Sequence, residues 1–145
     1  MQVSEIMTRD VETIPPAASL QQAAAAMEAL GVGSLPVCDG RRLVGAITDR
    51  DIVVRGVAAG MSPVDGLVSD CMTADIAYAF CDEEADEVLE RMKTLQVRRL
   101  AVLARDKTLA GIVSLGDIAT EPRAAALGSV GAAVAEISEP SRPRT

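Results

Sequence analysis

Apolar and polar positions along this chain follow a pattern that occurs twice. Leu20, Ala23, Ala24, Met27 and Leu30 recur at helical spacing and predict an amphipathic helix. Ser19 stands ahead of them as an N-cap, with Gln22 placed to complete a capping box. Gly31 follows where a helix commonly ends. Residues 35–38 and 43–48 are short apolar runs joined through Asp39-Gly40, a hairpin signal. Upstream, 11–14 reads as a short strand stopped by Pro15-Pro16. Downstream, 49–58 reads as a second helix. Residues 59–66, with Gly60, Ser62, Pro63 and Gly66, read as a linker. The same order then returns: a strand over 75–78, a helix over 83–95 capped by Asp82, strands over 100–104 and 108–114, and a helix over 115–120. Residues 122–137 are Ala-rich and predict a last helix, and 139–145 a frayed tail.

The residues recur along with the pattern. Val3-Ser4-Glu5-Ile6-Met7-Thr8 returns as Val68-Ser69-Asp70-Cys71-Met72-Thr73, an offset of 65. Met27, Leu30, Val32, Leu35 and Val37 match Met92, Leu95, Val97, Leu100 and Val102 at the same offset. Gly45-Ala46-Ile47-Thr48-Asp49-Arg50-Asp51-Ile52 matches Gly111-Ile112-Val113-Ser114-Leu115-Gly116-Asp117-Ile118 at 66, after a one-residue insertion. Two copies of a half-stable unit normally bury their apolar sides on each other. The expected fold is α/β (α+β), built from two β-α-β-β-α repeats: 1–58, a linker 59–66, 67–120, and a C-terminal helix and tail over 121–145.

Composition narrows the functional classes. The chain is 49% hydrophobic but 1% aromatic, so its interior is built from Ala, Val, Leu, Ile and Met. A net charge of −7 argues against nucleic acid or an anionic membrane as the main partner, though not against a small anion at a local basic cluster. Three cysteines with no C-x-x-C suggest free thiols in a reducing cytosol. No signal-peptide pattern opens the sequence, and its longest nearly apolar stretch, 124–135, falls short of the about 20 residues a bilayer requires. A soluble, cytoplasmic protein is expected. Cys38 is expected to be buried, and Cys71 and Cys81 more exposed. Met7, Met27, Met72 and Met92 occupy repeat-equivalent positions and read as core or interface rather than metal ligands. The acidic run Asp82-Glu83-Glu84 reads as a solvated first helical turn.

The chain contains no histidine, which removes Ser-His and Cys-His pairs. It has no G-x-S-x-G, no Walker loop, no dinucleotide fingerprint and no recognisable metal-ligand spacing. The expectation is that it is not an enzyme and holds no metal. Chemistry concentrates instead at the two repeated strand-to-helix junctions, Thr48 with Asp51 and Ser114 with Asp117. On spacing alone two roles stay open. The hydroxyl and the carboxylate can cap the helix; or a hydroxyl and helix-start N–H groups can meet a phosphate while the Asp takes ribose hydroxyls. Arg98 and Arg99, just before the 100–104 strand, are either a solvated pair or a phosphate fork. The first copy has Gly33 and Ser34 there, and carries Arg50 where the second has Gly116.

These residues resemble a tandem pair of cystathionine-beta-synthase (CBS) domains, a Bateman module. The resemblance rests on the V-S-[ED]-x-M-T openings, Val97-Arg98-Arg99-Leu100-Ala101-Val102, Leu43–Asp51 taken as a run, and Ile112-Val113-Ser114-Leu115-Gly116-Asp117, and it covers about residues 2–120. It implies two pseudo-symmetric repeats packed through their sheets. It implies clefts for an adenosine-containing ligand such as AMP, ADP, ATP, NAD or S-adenosylmethionine, with no required cofactor. Carried over, Ser114, Asp117, Arg98 and Arg99 would hold ribose and phosphate in the second cleft, with Tyr78 and Ala79 near the base. Thr48, Asp51 and Arg50 would do so in the first, with Thr13 and Ile14 near the base. Tyr78, Phe80 and Cys81 stand where such modules commonly carry small polar residues and Pro, and Ala101 replaces the Pro kept at Pro36. One good site rather than two is expected. The resemblance also implies a homodimer and a regulatory output through a separate protein. The alternative is a dimerisation or docking module that has lost ligand binding.

Overall fold

The computed structural model describes residues 1–121, so the helix expected over 122–137 and the tail beyond it lie outside the described residues. The fold is α+β with two small sheets. It divides into two compact units, one formed by Val11–Ala77 with Lys107–Leu109 and the other by Met1–Asp10, Tyr78–Asp106 and the chain from Ala110.

In the Val11–Ala77 unit, α1 (Leu20–Leu30) begins at the Ser19–Gln22 capping box, with Ser19 Oγ accepting from Gln22 N at 3.1 Å and Gln22 Oε1 accepting from Ser19 N at 2.9 Å. Gly31 closes it in the left-handed conformation, φ 66°. Leu20, Ala23 and Met27 are buried, whereas Ala24 and Leu30 of the expected stripe turn outward. β1 (Ser34–Asp39) and β2 (Arg42–Thr48) form the antiparallel hairpin that Asp39-Gly40 predicts. The strand expected over 11–14 is reduced to one parallel bridge, Ile14 to Val37, because Pro15 has no N–H with which to extend the ladder. The helix expected over 49–58 is a single turn, α2 (Asp49–Asp51), widening into a π-helical turn over Ile52–Val57. In that turn Gly56 is buried against Leu20, and Val53, Val54 and Val57 face outward. α3 (Val68–Cys71) follows. It buries Cys71 completely, against the expectation of a more exposed thiol, because Cys71 joins Ile14, Leu20, Val37, Ile47 and Val68 in one core.

The other unit holds β3 (Tyr78–Phe80), α4 (Ala85–Leu95), β4 (Arg99–Leu103), β5 (Leu109–Ser114) and α5 (Leu115–Ala119), with sheet order β3-β4-β5. β3 runs parallel to β4, with Tyr78 opposite Ala101, Ala79 opposite Val102 and Phe80 opposite Leu103. The strand expected over 75–78 starts later because Asp75 takes a left-handed turn at φ 53°. α4 starts at Ala85 with Glu84 as its N-cap, not Asp82. Asp82 instead accepts from Arg105, at 2.8 and 3.0 Å, and Glu83 accepts from Arg91 and from Phe80 N. The acidic run is therefore committed to specific partners rather than to a solvated first turn. Ala79, Val88, Leu89, Met92, Leu100, Val102, Val113 and Ile118 form the core.

The V-S-x-x-M-T openings acquire a physical reason here. Thr8 pairs with Ile112, each N–H donating to the other's carbonyl at 2.8 and 3.0 Å. Thr73 pairs with Ala46 in the same way, at 2.8 and 2.9 Å. At Gly111 a Cβ would lie 2.5 Å from Thr8 O, and at Gly45 2.5 Å from Thr73 O, so only glycine admits the crossing chain. Each opening therefore completes the sheet of the opposite sequence copy, and the compact units cut across the linear repeat.

Candidate functional site

Ser114 ends β5 in an extended conformation, φ −111° and ψ 160°, and is the N-cap of α5. Its Oγ accepts from Asp117 N at 3.0 Å, and Asp117 Oδ2 accepts from Ser114 N at 2.8 Å. Thr48 and Asp51 form the same reciprocal pair in the first copy, with both bonds at 3.0 Å. The capping role is thus met at both junctions, and it occupies one carboxylate oxygen of each Asp. Asp117 Oδ1 has no partner among the described residues.

Leu115 N donates to Arg98 O at 2.8 Å, which ties the start of α5 to the segment carrying Arg98 and Arg99. Both arginines are exposed, and neither has an ion pair among the described residues. The backbone of Arg98 is thereby brought beside Ser114 and Asp117. Tyr78 and Ala79 lie on β3, separated from β5 by β4. Ala79 is fully buried, so its side chain belongs to the core and its backbone is what it can offer a ligand. Tyr78 is half-buried and meets Phe80 edge to face, ring centroids 5.4 Å apart. Arg105 lies over the Phe80 ring at 4.2 Å, a cation–π contact.

Three residues near β3 carry interactions that the motif reading did not anticipate. Arg91 Nη1 donates to Tyr78 O at 2.9 Å and to Glu83 Oε2 at 3.0 Å. Hydrogen bonding to Arg91 holds the Glu83 carboxyl below the usual range, and the Arg91 guanidinium is raised in turn. Arg105 likewise lowers Asp82. The signal was available as asymmetry: Glu83 and Arg91 stand where the first copy has Ala18 and Ala26.

The first junction differs in its electrostatics. Asp49 N donates to Gly33 O at 2.9 Å, and Asp49 Oδ1 accepts from Arg50 N at 2.8 Å. Arg55 Nε lies 3.9 Å from Asp51 Oδ1, an ion pair beyond hydrogen-bonding distance, and Arg55 Nη1 donates to Met72 O at 3.2 Å. Arg50 and Thr13 are exposed, and Ile14 is buried. Burial raises the Cys38 and Cys71 thiols above their ordinary pKa, which makes both poor nucleophiles.

The CBS domain model matches residues 3–56 and again 68–123. The chain belongs to the CBS domain family. A relative, "Uncharacterized protein YlbB" of Bacillus subtilis, is 37% identical over 143 residues, covering 94% of this chain and 91% of its own length. The crystal structure of Hypoxic Response Protein I, solved with two coordinated zinc ions, superposes with a TM-score of 0.75 at 35% identity, over 84% of this chain and 100% of that one; the sequence match to that protein is from Mycobacterium tuberculosis. CBSX2 in complex with AMP superposes with a TM-score of 0.72 at 25% identity, over 88% and 98% of the two chains. Among the described residues of this CBS pair, no group of three or more Cys, Asp or Glu side chains is placed to hold a metal ion, and no helix is long and apolar enough to cross a membrane.

Proposed function

We propose that this CBS pair is a regulatory module that binds an adenine nucleotide and acts on a separate protein. The observation that carries the reading is the second junction. There the 2.8 Å bond from Leu115 N to Arg98 O sets the Arg98 backbone beside Ser114 and Asp117, and among the described residues the Arg98 guanidinium and Asp117 Oδ1 carry no ion pair. The Asp117 carboxylate suits ribose hydroxyls, and Arg98 and Arg99 suit phosphate. Tyr78 and Ala79 border the base position. Thr48, Asp51, Arg50, Thr13 and Ile14 form the corresponding first site. The AMP held by CBSX2 supports an adenosine ligand, with AMP, ADP, ATP, NAD and S-adenosylmethionine as the candidates. The outward Val53, Val54 and Val57, 51 to 65% exposed, support self-association as a homodimer. The module has no catalytic role in this reading: ligand shifts it between states that its partner distinguishes.

A second reading, a docking module without a ligand, draws support from β3. Arg91 already occupies the Tyr78 carbonyl, and the Tyr78–Phe80–Arg105 stack already fills that strand's outer side chains. A thermal-shift screen with these five ligands at about 1 mM separates the two readings. A ligand at about 100 times its Kd stabilises the fold by about 2.7 kcal/mol, which moves the melting point by several degrees. A shift that Asp117→Ala abolishes supports the sensor. No shift with any ligand leaves the docking module.

A further inference from the structure

The two junctions share hydroxyl and carboxylate but differ at the residue following the hydroxyl, which is Asp49 in the first and Leu115 in the second. We infer that Asp49 is a specificity residue that bars phosphate-bearing ligands from the first junction and leaves one nucleotide site per chain. The inference rests on the nucleotide reading above and assigns its stoichiometry and location.

Three features of the first junction support it. Asp49 Oδ2 lies 3.0 Å from the point where a Cβ on Gly33 would stand. Gly33 is the counterpart of Arg98. The first copy therefore places a carboxylate where an arginine would leave the backbone in the second. Next, Asp49 Oδ1 accepts the Arg50 N–H at 2.8 Å, so the carboxylate is pinned in that position and that donor is taken. Finally, Asp51 Oδ1, the oxygen left over from capping, faces Arg55 Nε at 3.9 Å. A ribose hydroxyl would have to compete with that cation. Among the described residues Asp117 has no such neighbour, and the counterpart of Arg55 is Glu121. Of the two cations at the first junction, Arg55 is already engaged with Asp51 and Met72 O, and Arg50 is exposed and screened by solvent. A phosphate brought beside the Asp49 carboxylate, which is exposed and screened as Arg50 is, meets like-charge repulsion worth about 5-fold in affinity, where the second copy offers attraction from Arg98 instead.

The test is isothermal titration calorimetry of AMP into the full chain. Wild type is expected to bind one AMP per chain, and Asp117→Ala to bind it roughly 10- to 100-fold more weakly. Gly33→Arg with Asp49→Leu installs the second copy's residues and is expected to bind two. Asp49→Asn, which keeps the side chain's size and its bond to Arg50 N, is expected to bind a second AMP more weakly, and it serves if the double variant does not fold. Two AMP per wild-type chain would overturn the role of Asp49 while leaving the nucleotide reading intact. So would one AMP whose binding is lost in Asp51→Ala and kept in Asp117→Ala, or a single site in both folded Asp49 variants. No AMP bound by wild type or by any folded variant would overturn the role of Asp49 and strike AMP from the candidate ligands, and the same titration with ADP, ATP, NAD and S-adenosylmethionine, if also silent, would remove the nucleotide reading.

Discussion

At the first strand-to-helix junction a carboxylate, Asp49, lies against a glycine, and a cation, Arg55, stands near Asp51. At the second, the same positions carry Leu115, Arg98 and Glu121, and among the described residues Asp117 keeps one oxygen without a partner. Beneath this difference the backbones agree closely. Thr48 and Ser114 adopt φ of −112° and −111° with ψ of 162° and 160°, and both make the same pair of capping bonds. What recurs is what the backbone requires: caps, close-approach glycines and inward apolar residues. What differs is charge on exposed atoms, which the fold tolerates in either form and a ligand does not. Divergence between copies is therefore the better guide to binding, and identity between them the better guide to folding.

Four changes would break or sharpen that comparison. The largest effect is expected where the copies agree. Gly111→Ala forces a Cβ to within 2.5 Å of Thr8 O, and Gly45→Ala does the same at Thr73 O. Each should cost about 3 kcal/mol in urea unfolding, as overpacking does, and a cost below about 1 kcal/mol at either would mean that the crossing chain is not held as the pairing indicates. Next come the carboxylates. Loss of a hydrogen bond to a charged group removes about 1.5–3 kcal/mol, so Asp117→Ala should weaken AMP binding roughly 10- to 100-fold while Asp51→Ala leaves it within about 3-fold. Equal losses would erase the functional difference between the junctions.

The Glu83–Arg91 pair exists in one copy only. Arg91 lowers the Glu83 carboxyl, which is 17% exposed. Its contribution is therefore complete above the ordinary glutamate value of about 4.3 and is lost as pH falls through the lower folded value. Glu83→Gln should cost about 2 kcal/mol at pH 7, and the gap from wild type should close on acidification below pH about 4. A gap independent of pH would show that packing, not charge, is what the substitution removes. The smallest effect concerns the helix ends. Gly31 and Gln96 both sit in the left-handed region, at φ 66° and 54°. Gln96→Gly should therefore raise stability by about 1 kcal/mol, the strain an L residue bears there, and a loss would point to a contact made by the Gln96 side chain.

The site was legible in part. Its hydroxyl–carboxylate pairs are three residues apart and are made by local hydrogen bonds, so spacing alone placed them. That Arg98 is tied to the start of α5 requires two strands to be side by side, which the repeat order suggests but local pattern does not establish. Arg91, Glu83 and Arg105 went unanticipated because their partners lie 8 to 23 residues away, beyond any helical period. Cys71 was expected to be more exposed because nothing in its own neighbourhood shows that Leu20 and Gly56 will cover it.

Sequence by itself determined the twofold repeat, α1 with its Ser19 cap and Gly31 stop, the β1–β2 hairpin and the two capped junctions. All of these follow from periodicity and from bonds between residues a few positions apart. Tertiary structure alone decided that each Met-Thr opening pairs across the glycine of the opposite copy, that Asp82 and Glu83 bond arginine side chains rather than cap α4, and that the 49–58 helix widens over Ile52–Val57. Those outcomes depend on which distant groups meet, and a donor, a carboxylate or a bare glycine face carries no local mark of the partner it will find.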